Sequence, residues 1–117
     1  REALEAARAE RLVSYEVHAL AELAAAHALA EDRHDALTRA REARERLAGI
    51  DVERPEKVYR LLAELFASLG EGADARELFD EAYELLDAKA RSIRSDSTRA
   101  RFLDSRDVRA IREGARA

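Results

Sequence analysis

The stretch Pro55-Glu56-Lys57-Val58-Tyr59-Arg60-Leu61-Leu62-Ala63-Glu64-Leu65-Phe66-Ala67-Ser68-Leu69-Gly70 carries the plainest pattern in the chain. Val58, Tyr59, Leu62, Leu65, Phe66 and Leu69 recur every three or four residues, the spacing that gathers side chains on one face of an α-helix. Pro55 suits the first helical position, where a missing amide has no intrahelical partner to lose. Gly70-Glu71-Gly72 ends the pattern. A further helix is expected over about Ala73 to Arg91, with Ala75, Leu78, Phe79, Ala82, Leu85 and Leu86 on its stripe.

The same arrangement lies 39 residues upstream. Leu20-x-x-Leu23-Ala24-x-x-His27 aligns with Tyr59-x-x-Leu62-Ala63-x-x-Phe66, and Ala36-x-x-x-Ala40-x-x-Ala43 aligns with Ala75-x-x-x-Phe79-x-x-Ala82. The spacing predicts helices over about Tyr15 to Ala30 and His34 to Ala48, separated by Glu31-Asp32-Arg33. Gly49 is suited to end the second of these, and Gly49 to Arg54 reads as the loop into Pro55. Leu4, Ala7 and Leu12 predict a separate first helix over Glu2 to Leu12, with Ser14 as the N-cap of the next. Ser95-Asp96-Ser97 is expected to cap a short helix bearing Phe102 and Leu103. Ser105 is expected to cap a last helix bearing Val108 and Ile111.

A large–large–small–large helix followed by an Ala-large-Ala helix resembles the tetratricopeptide repeat, whose period of about 34 residues the Gly49 to Arg54 loop would lengthen. The order Pro55-Glu56-Lys57-Val58-Tyr59, Leu69-Gly70, Ala82-Tyr83-Glu84-Leu85-Leu86 and Arg101-Phe102-Leu103 is similar to the final repeats and tail of large bacterial signal-transduction proteins. Among these are ATPase-type transcriptional regulators and ATPase-linked nucleotide cyclases. The resemblance covers about Ser14 to Ile111. It departs at Asp104-Ser105-Arg106, where that tail often has Asn, Val and Pro.

The resemblance implies an all-α, right-handed solenoid of antiparallel helix pairs with capping helices at its C-terminal end. Residues 1–117 then form one domain. Residues 1–13 are helix B of a preceding repeat, 14–48 repeat one, 55–91 repeat two and 97–114 the cap. The chain opens Arg-Glu-Ala without Met and is expected to be a fragment of a longer protein. By the same resemblance a concave groove is lined by His18, Ala21, Ala25 and Ala28 from the first repeat and Lys57, Arg60, Glu64 and Ala67 from the second. The Ala floor would receive a helix, and Lys57 and Arg60 would hold a carboxylate. The peptide-end clamp of chaperone-binding repeats uses Asn, which is absent here, so that activity is not carried over.

Composition narrows the function classes. The 117 residues include 21 basic and 25 acidic side chains, one Pro, four Gly and no Cys. Turn-dense β architecture needs more Gly and Pro, and thiol chemistry, disulfides and Cys-based zinc sites need Cys. No apolar run nears the roughly 20 residues of a bilayer span. The expected compartment is the cytoplasm. Arg outnumbers Lys by 19 to 2 and Asn and Gln are missing, as a GC-rich genome or a thermophile would give.

Nothing marks a catalytic or cofactor site. His18, His27 and His34 stand nine and seven residues apart, whereas chelation from one helix needs three or four. His27 falls on the packing stripe. Glu22, Glu42, Glu45 and Glu84 lie among Arg and other Glu, as solvated helix surface does. Gly70-Glu71-Gly72 lacks the Lys-Ser/Thr ending and preceding strand of a phosphate loop. We therefore expect no enzyme, metal or cofactor, but a protein–protein interaction or signal-relay module whose partner is a protein, a peptide or another domain of its parent, with self-association of the fragment.

Residues 91–117 hold eight Arg against four acids, leaving residues 1–90 at net −8. A nucleic-acid-contacting tail is the alternative reading, because clustered Arg releases phosphate counterions. Asp96, Asp104, Asp107 and Glu113 interrupt the series, and no aromatic ladder accompanies it. A third reading, a small-ligand sensor, would require an apolar pocket with a few converging polar groups.

Overall fold

The computed structural model describes residues 2–48 and 55–116, apart from the side chains of Glu2, Ala6, Ala7 and Glu10. The expected packing of Ala7 and the Gly49 to Arg54 loop lie outside the described residues. These fold as six helices, α1 Glu2–Leu29, α2 Arg33–Leu47, α3 Pro55–Ser68, α4 Gly72–Ser92, α5 Asp96–Leu103 and α6 Arg106–Arg116. No strand occurs among them, so the protein is all-α.

The first expectation to fail is the break at Ser14. α1 is one helix of 28 residues, and Ser14 lies inside it with 3 % of its surface exposed. Leu12-Val13-Ser14-Tyr15 contains neither Gly nor Pro, and a single interior Ser costs only a few tenths of a kcal/mol relative to good helix formers. Burying Ser14 beside Val17 keeps the helix running. Residues 1–13 are therefore not a separate helix.

α1 and α3 end alike. In α3 Gly70 takes φ 81°, the Glu71 amide donates to the Phe66 carbonyl at 2.8 Å and the Gly70 amide to Ala67 at 3.2 Å. In α1 Glu31 takes φ 60°, the Asp32 amide donates to His27 at 2.9 Å and the Glu31 amide to Ala28 at 3.1 Å. Each is a left-handed C-cap with two reversed backbone bonds that satisfy the last carbonyls. The paired residues are separated by the same 39 positions as the side-chain pattern. Asp32 then caps α2, accepting from the Asp35 amide, whereas Glu71 begins α4 with no side-chain cap.

α1 packs along α2 and α3 along α4; α3 also touches α1 and α2. α6 lies against both α3 and α4, while α5 makes lesser contacts with α4 and α6. The result is a slab of 44 × 42 × 19 Å, about two helix diameters thick. One core joins Val17, Ala21 and Ala24 to Ala40 and Ala43, and to Leu62, Ala63, Phe66 and Leu78. The Ala residues let the first two helices approach closely, and Phe66 fills the wider space at the centre. A smaller cluster of Ala82, Leu86, Val108 and Ile111 closes the α4–α6 seam, with Phe102 and Leu103 packed at its edge.

Ser95 caps α5 as expected, its hydroxyl accepting from the Thr98 amide at 3.3 Å. Ser105 does not act in this way before α6. Its hydroxyl is buried without a hydrogen-bond partner among the described residues, while its amide donates to the Phe102 carbonyl at 3.2 Å and its carbonyl accepts from the Arg109 amide at 3.0 Å.

Candidate interaction surface

α1 and α3 contribute the residues expected to line a groove. Lys57 and Arg60 both face carboxylates of the chain itself. Lys57 Nζ lies 3.8 Å from Glu22, and Arg60 bonds Glu64 at 3.0 Å and Asp107 at 3.0 Å. Its hydrogen bonds to the accepting carboxylates of Glu64 and then Asp107 push the Arg60 pKa above its usual range, holding its charge more firmly. Glu64 therefore acts within the protein, as half of a cross-braced pair. Ala21 is fully buried between helices and offers no surface. It belongs to the core shared with Val17 and Ala24. His18 and Ala25 stay half-buried on α1. Lys57, Arg60 and Glu64 thus belong to a charged face with pairs inside the chain.

The opposite side of α1 was missed in the sequence. Leu4, Leu12, Tyr15, Ala19, Leu23 and Ala26 share one face by helical spacing, and all are exposed. Leu12 is 70 % and Tyr15 76 % accessible. Val17, Ala21 and Ala24, about half a turn around, face the core. A helix apolar on both faces is only half used by this fold. The stripe from Leu4 to Ala26 is about 33 Å long at 1.5 Å per residue. Arg8 lies within it, and Arg11, Glu5, Glu16 and Glu22 flank it.

His27, Asp32 and Asp35 come together across the α1–α2 turn, with one potential ligand atom of each within 4.8 Å of the others. His27 Nδ1 stands 3.7 Å from Asp32. Helix spacing hid this meeting because the reversal at Glu31, not one helix face, creates it. The hydrogen bond from Asp35 holds the Asp32 carboxyl below its usual pKa, with His27 and His34 adding to the effect. Capping of α2 accounts for the arrangement.

Three of the eight arginines of the tail have partners within the described residues. Arg99 donates to the Ala90 carbonyl at 3.1 Å, to the Ile93 carbonyl and to Asp96 at 2.9 Å. Arg91 pairs with Asp87 at 2.6 Å, and Arg109 stands 3.9 Å from Asp104. No helix among the described residues is long and apolar enough to cross a membrane. Comparison with protein-family models, curated proteins and solved structures gave no match to the chain.

Proposed function

We propose that this chain is a non-catalytic helix-docking module, a tetratricopeptide-like solenoid of two helix pairs and a cap, which relays contacts within a larger bacterial regulatory protein of the cytoplasm. The observation that carries the docking reading is the unpartnered apolar stripe of α1. Apolar surface continuous along a helix marks an interaction site more often than chance exposure does. Its occupant is another helix laid along Leu12, Tyr15, Ala19 and Leu23, with Arg8 within the stripe and Glu5 at its margin able to pair with opposite charges. Two further observations support the repeat architecture. The C-caps of α1 and α3 recur at the side-chain period, and α6 meets α3 and α4 much as α3 meets α1 and α2.

A second copy of the chain is the simplest helix to offer this face. The stripe, about 33 Å by 10 Å, covers roughly 300–400 Å² per copy, below the roughly 800 Å² per partner of a standard stable interface. Association should therefore be weak and reversible. Sedimentation velocity from micromolar to millimolar concentration tests it. Wild type should shift toward dimer while Leu12→Glu/Tyr15→Glu remains monomeric with unchanged helicity. A wild-type monomer throughout, or equal association by the variant, would overturn the docking face.

A further inference from the structure

A cleft of about 170 Å³ opens between α4, α5 and α6, away from the α1 stripe. Leu86, Ala90, Leu103 and Val108 give it an apolar lining. Charged groups stand around it, Asp87, Arg91, Arg99 and Arg112, together with Tyr83. Three of the four charges are already engaged. Arg91 holds Asp87, and Arg99 ties α5 to the last carbonyls of α4. Arg112 differs. It is half-buried and makes no hydrogen bond or ion pair among the described residues.

An unpaired guanidinium beside an apolar hollow defines a ligand by its two ends. The guanidinium presents a planar fork of donors that matches a carboxylate with two parallel hydrogen bonds. The hollow sets the other end, since an apolar cavity of about 150 Å³ accepts a benzene-sized group. The four charged groups of the lining sum to +2, which favours an anion even with Asp87 present. A small inorganic anion would leave the apolar lining wet, and a neutral hydrocarbon would leave Arg112 without a partner.

We propose that this cleft binds small monocarboxylates bearing one aryl or branched-alkyl group, with Arg112 gripping the carboxylate and Leu86, Ala90, Leu103 and Val108 enclosing the apolar body. This site goes beyond helix docking and does not rest on it, because no residue of α1 lines the cleft. Its lining spans α4, α5 and α6, so an occupant tightens the cap against the second helix pair.

The probe is 3-phenylpropanoate, titrated into the full chain and followed by amide chemical shifts. A ligand of this size is expected to bind with a Kd on the order of 0.1–1 mM. Shifts should centre on Ala90, Leu103 and Arg112. The neutral 3-phenylpropanol and the apolar-free acetate should each bind at least about 10-fold more weakly, the factor set by losing one end of the recognition. Arg112→Gln should lose about 10-fold while keeping its circular dichroism, since Arg112 makes no hydrogen bond or ion pair among the described residues; Arg116→Gln is the charge control. Ala90→Leu, which fills the cleft instead of removing charge, should also abolish binding and guards against an unfolded Arg112 variant. No shifts up to about 10 mM, equal binding of acid and alcohol, or undiminished binding by Arg112→Gln would overturn the site.

Discussion

Gly114 of α6 faces the ring of Phe79 on α4 so closely that a β-carbon at position 114 would overlap it. Glycine inside a helix is destabilising, and the usual remedy, alanine, gains about 1 kcal/mol in helix propensity. Here that gain meets an aromatic ring from a packed neighbour. Overpacking of this kind costs about 1–3 kcal/mol, so Gly114→Ala should lower stability or leave it level. Urea denaturation compares the two chains. A clear rise in midpoint would show that α6 does not rest on Phe79.

The paired C-caps allow a test with opposite signs. Glu31 holds a left-handed conformation that costs an ordinary residue about 1–2 kcal/mol, and glycine occupies the matching position in α3. Glu31→Gly should therefore stabilise by about 0.5–1 kcal/mol after the entropic cost of glycine is subtracted. Gly70→Ala should destabilise by about 1–2 kcal/mol, although open space surrounds its Cα. Thermal melts of both variants decide it, and equal signs would refute the shared cap.

These two positions show what was legible in the sequence. Pro55 and Gly70 announced the bounds of α3 because their backbone chemistry is local, and Phe66 announced the core because its neighbours repeat at helical spacing. Glu31 did not declare itself, since nothing in a glutamate signals positive φ. Ser14 misled for a different reason. A serine serves either as a cap or as a tolerated helix residue, and burial of the surrounding turn decides which. The pairing of Arg60 with Asp107 spans 47 residues and depends on where α6 docks. Arg112 is one of eight tail arginines in the sequence, and only its half-buried place in the cleft between α4, α5 and α6 sets it apart.

The center of the fold makes a stronger claim on stability. Phe66 and Ala63 are fully buried in neighbouring turns of α3. Phe66→Ala should cost about 3–5 kcal/mol through lost burial and a cavity. Ala63→Leu should cost about 1–3 kcal/mol because no space exists for the added carbons. An unchanged midpoint for Ala63→Leu would mean that helices do not meet closely there.

Asp32 predicts a pH dependence whose sign follows from its low pKa. Folding lowers the carboxyl pKa from 3.8, mainly through the Asp35 hydrogen bond. The contribution is therefore fully present above the unfolded pKa and disappears as pH falls through the lower folded value. Asp32→Asn keeps an oxygen to cap α2 but has no charge to titrate. The difference in melting temperature between wild type and Asp32→Asn should favour wild type at pH 6 and shrink below pH about 4. A constant difference down to pH about 2 would show that the Asp32 charge plays no part.

The tail separates structural from surface arginines. Arg99 binds two carbonyls at the end of α4 and the Asp96 carboxylate, so it completes the junction on which α5 folds back. Arg101 and Arg106 are exposed and make no ion pair among the described residues. Arg99→Ala should cost about 1–2 kcal/mol, less than the sum of its charged hydrogen bonds because water partly replaces them. Arg101→Ala and Arg106→Ala should each fall within about 0.5 kcal/mol of wild type. A nucleic-acid surface would reverse this ranking in a binding assay, since exposed Arg would then carry affinity and steepen its salt dependence. With Arg91, Arg99 and Arg109 held by acids of the chain itself, binding to duplex or single-stranded DNA should be weak, independent of sequence and lost at physiological salt. Submicromolar binding abolished by Arg101→Ala/Arg106→Ala would instead make the tail a polyanion-binding surface.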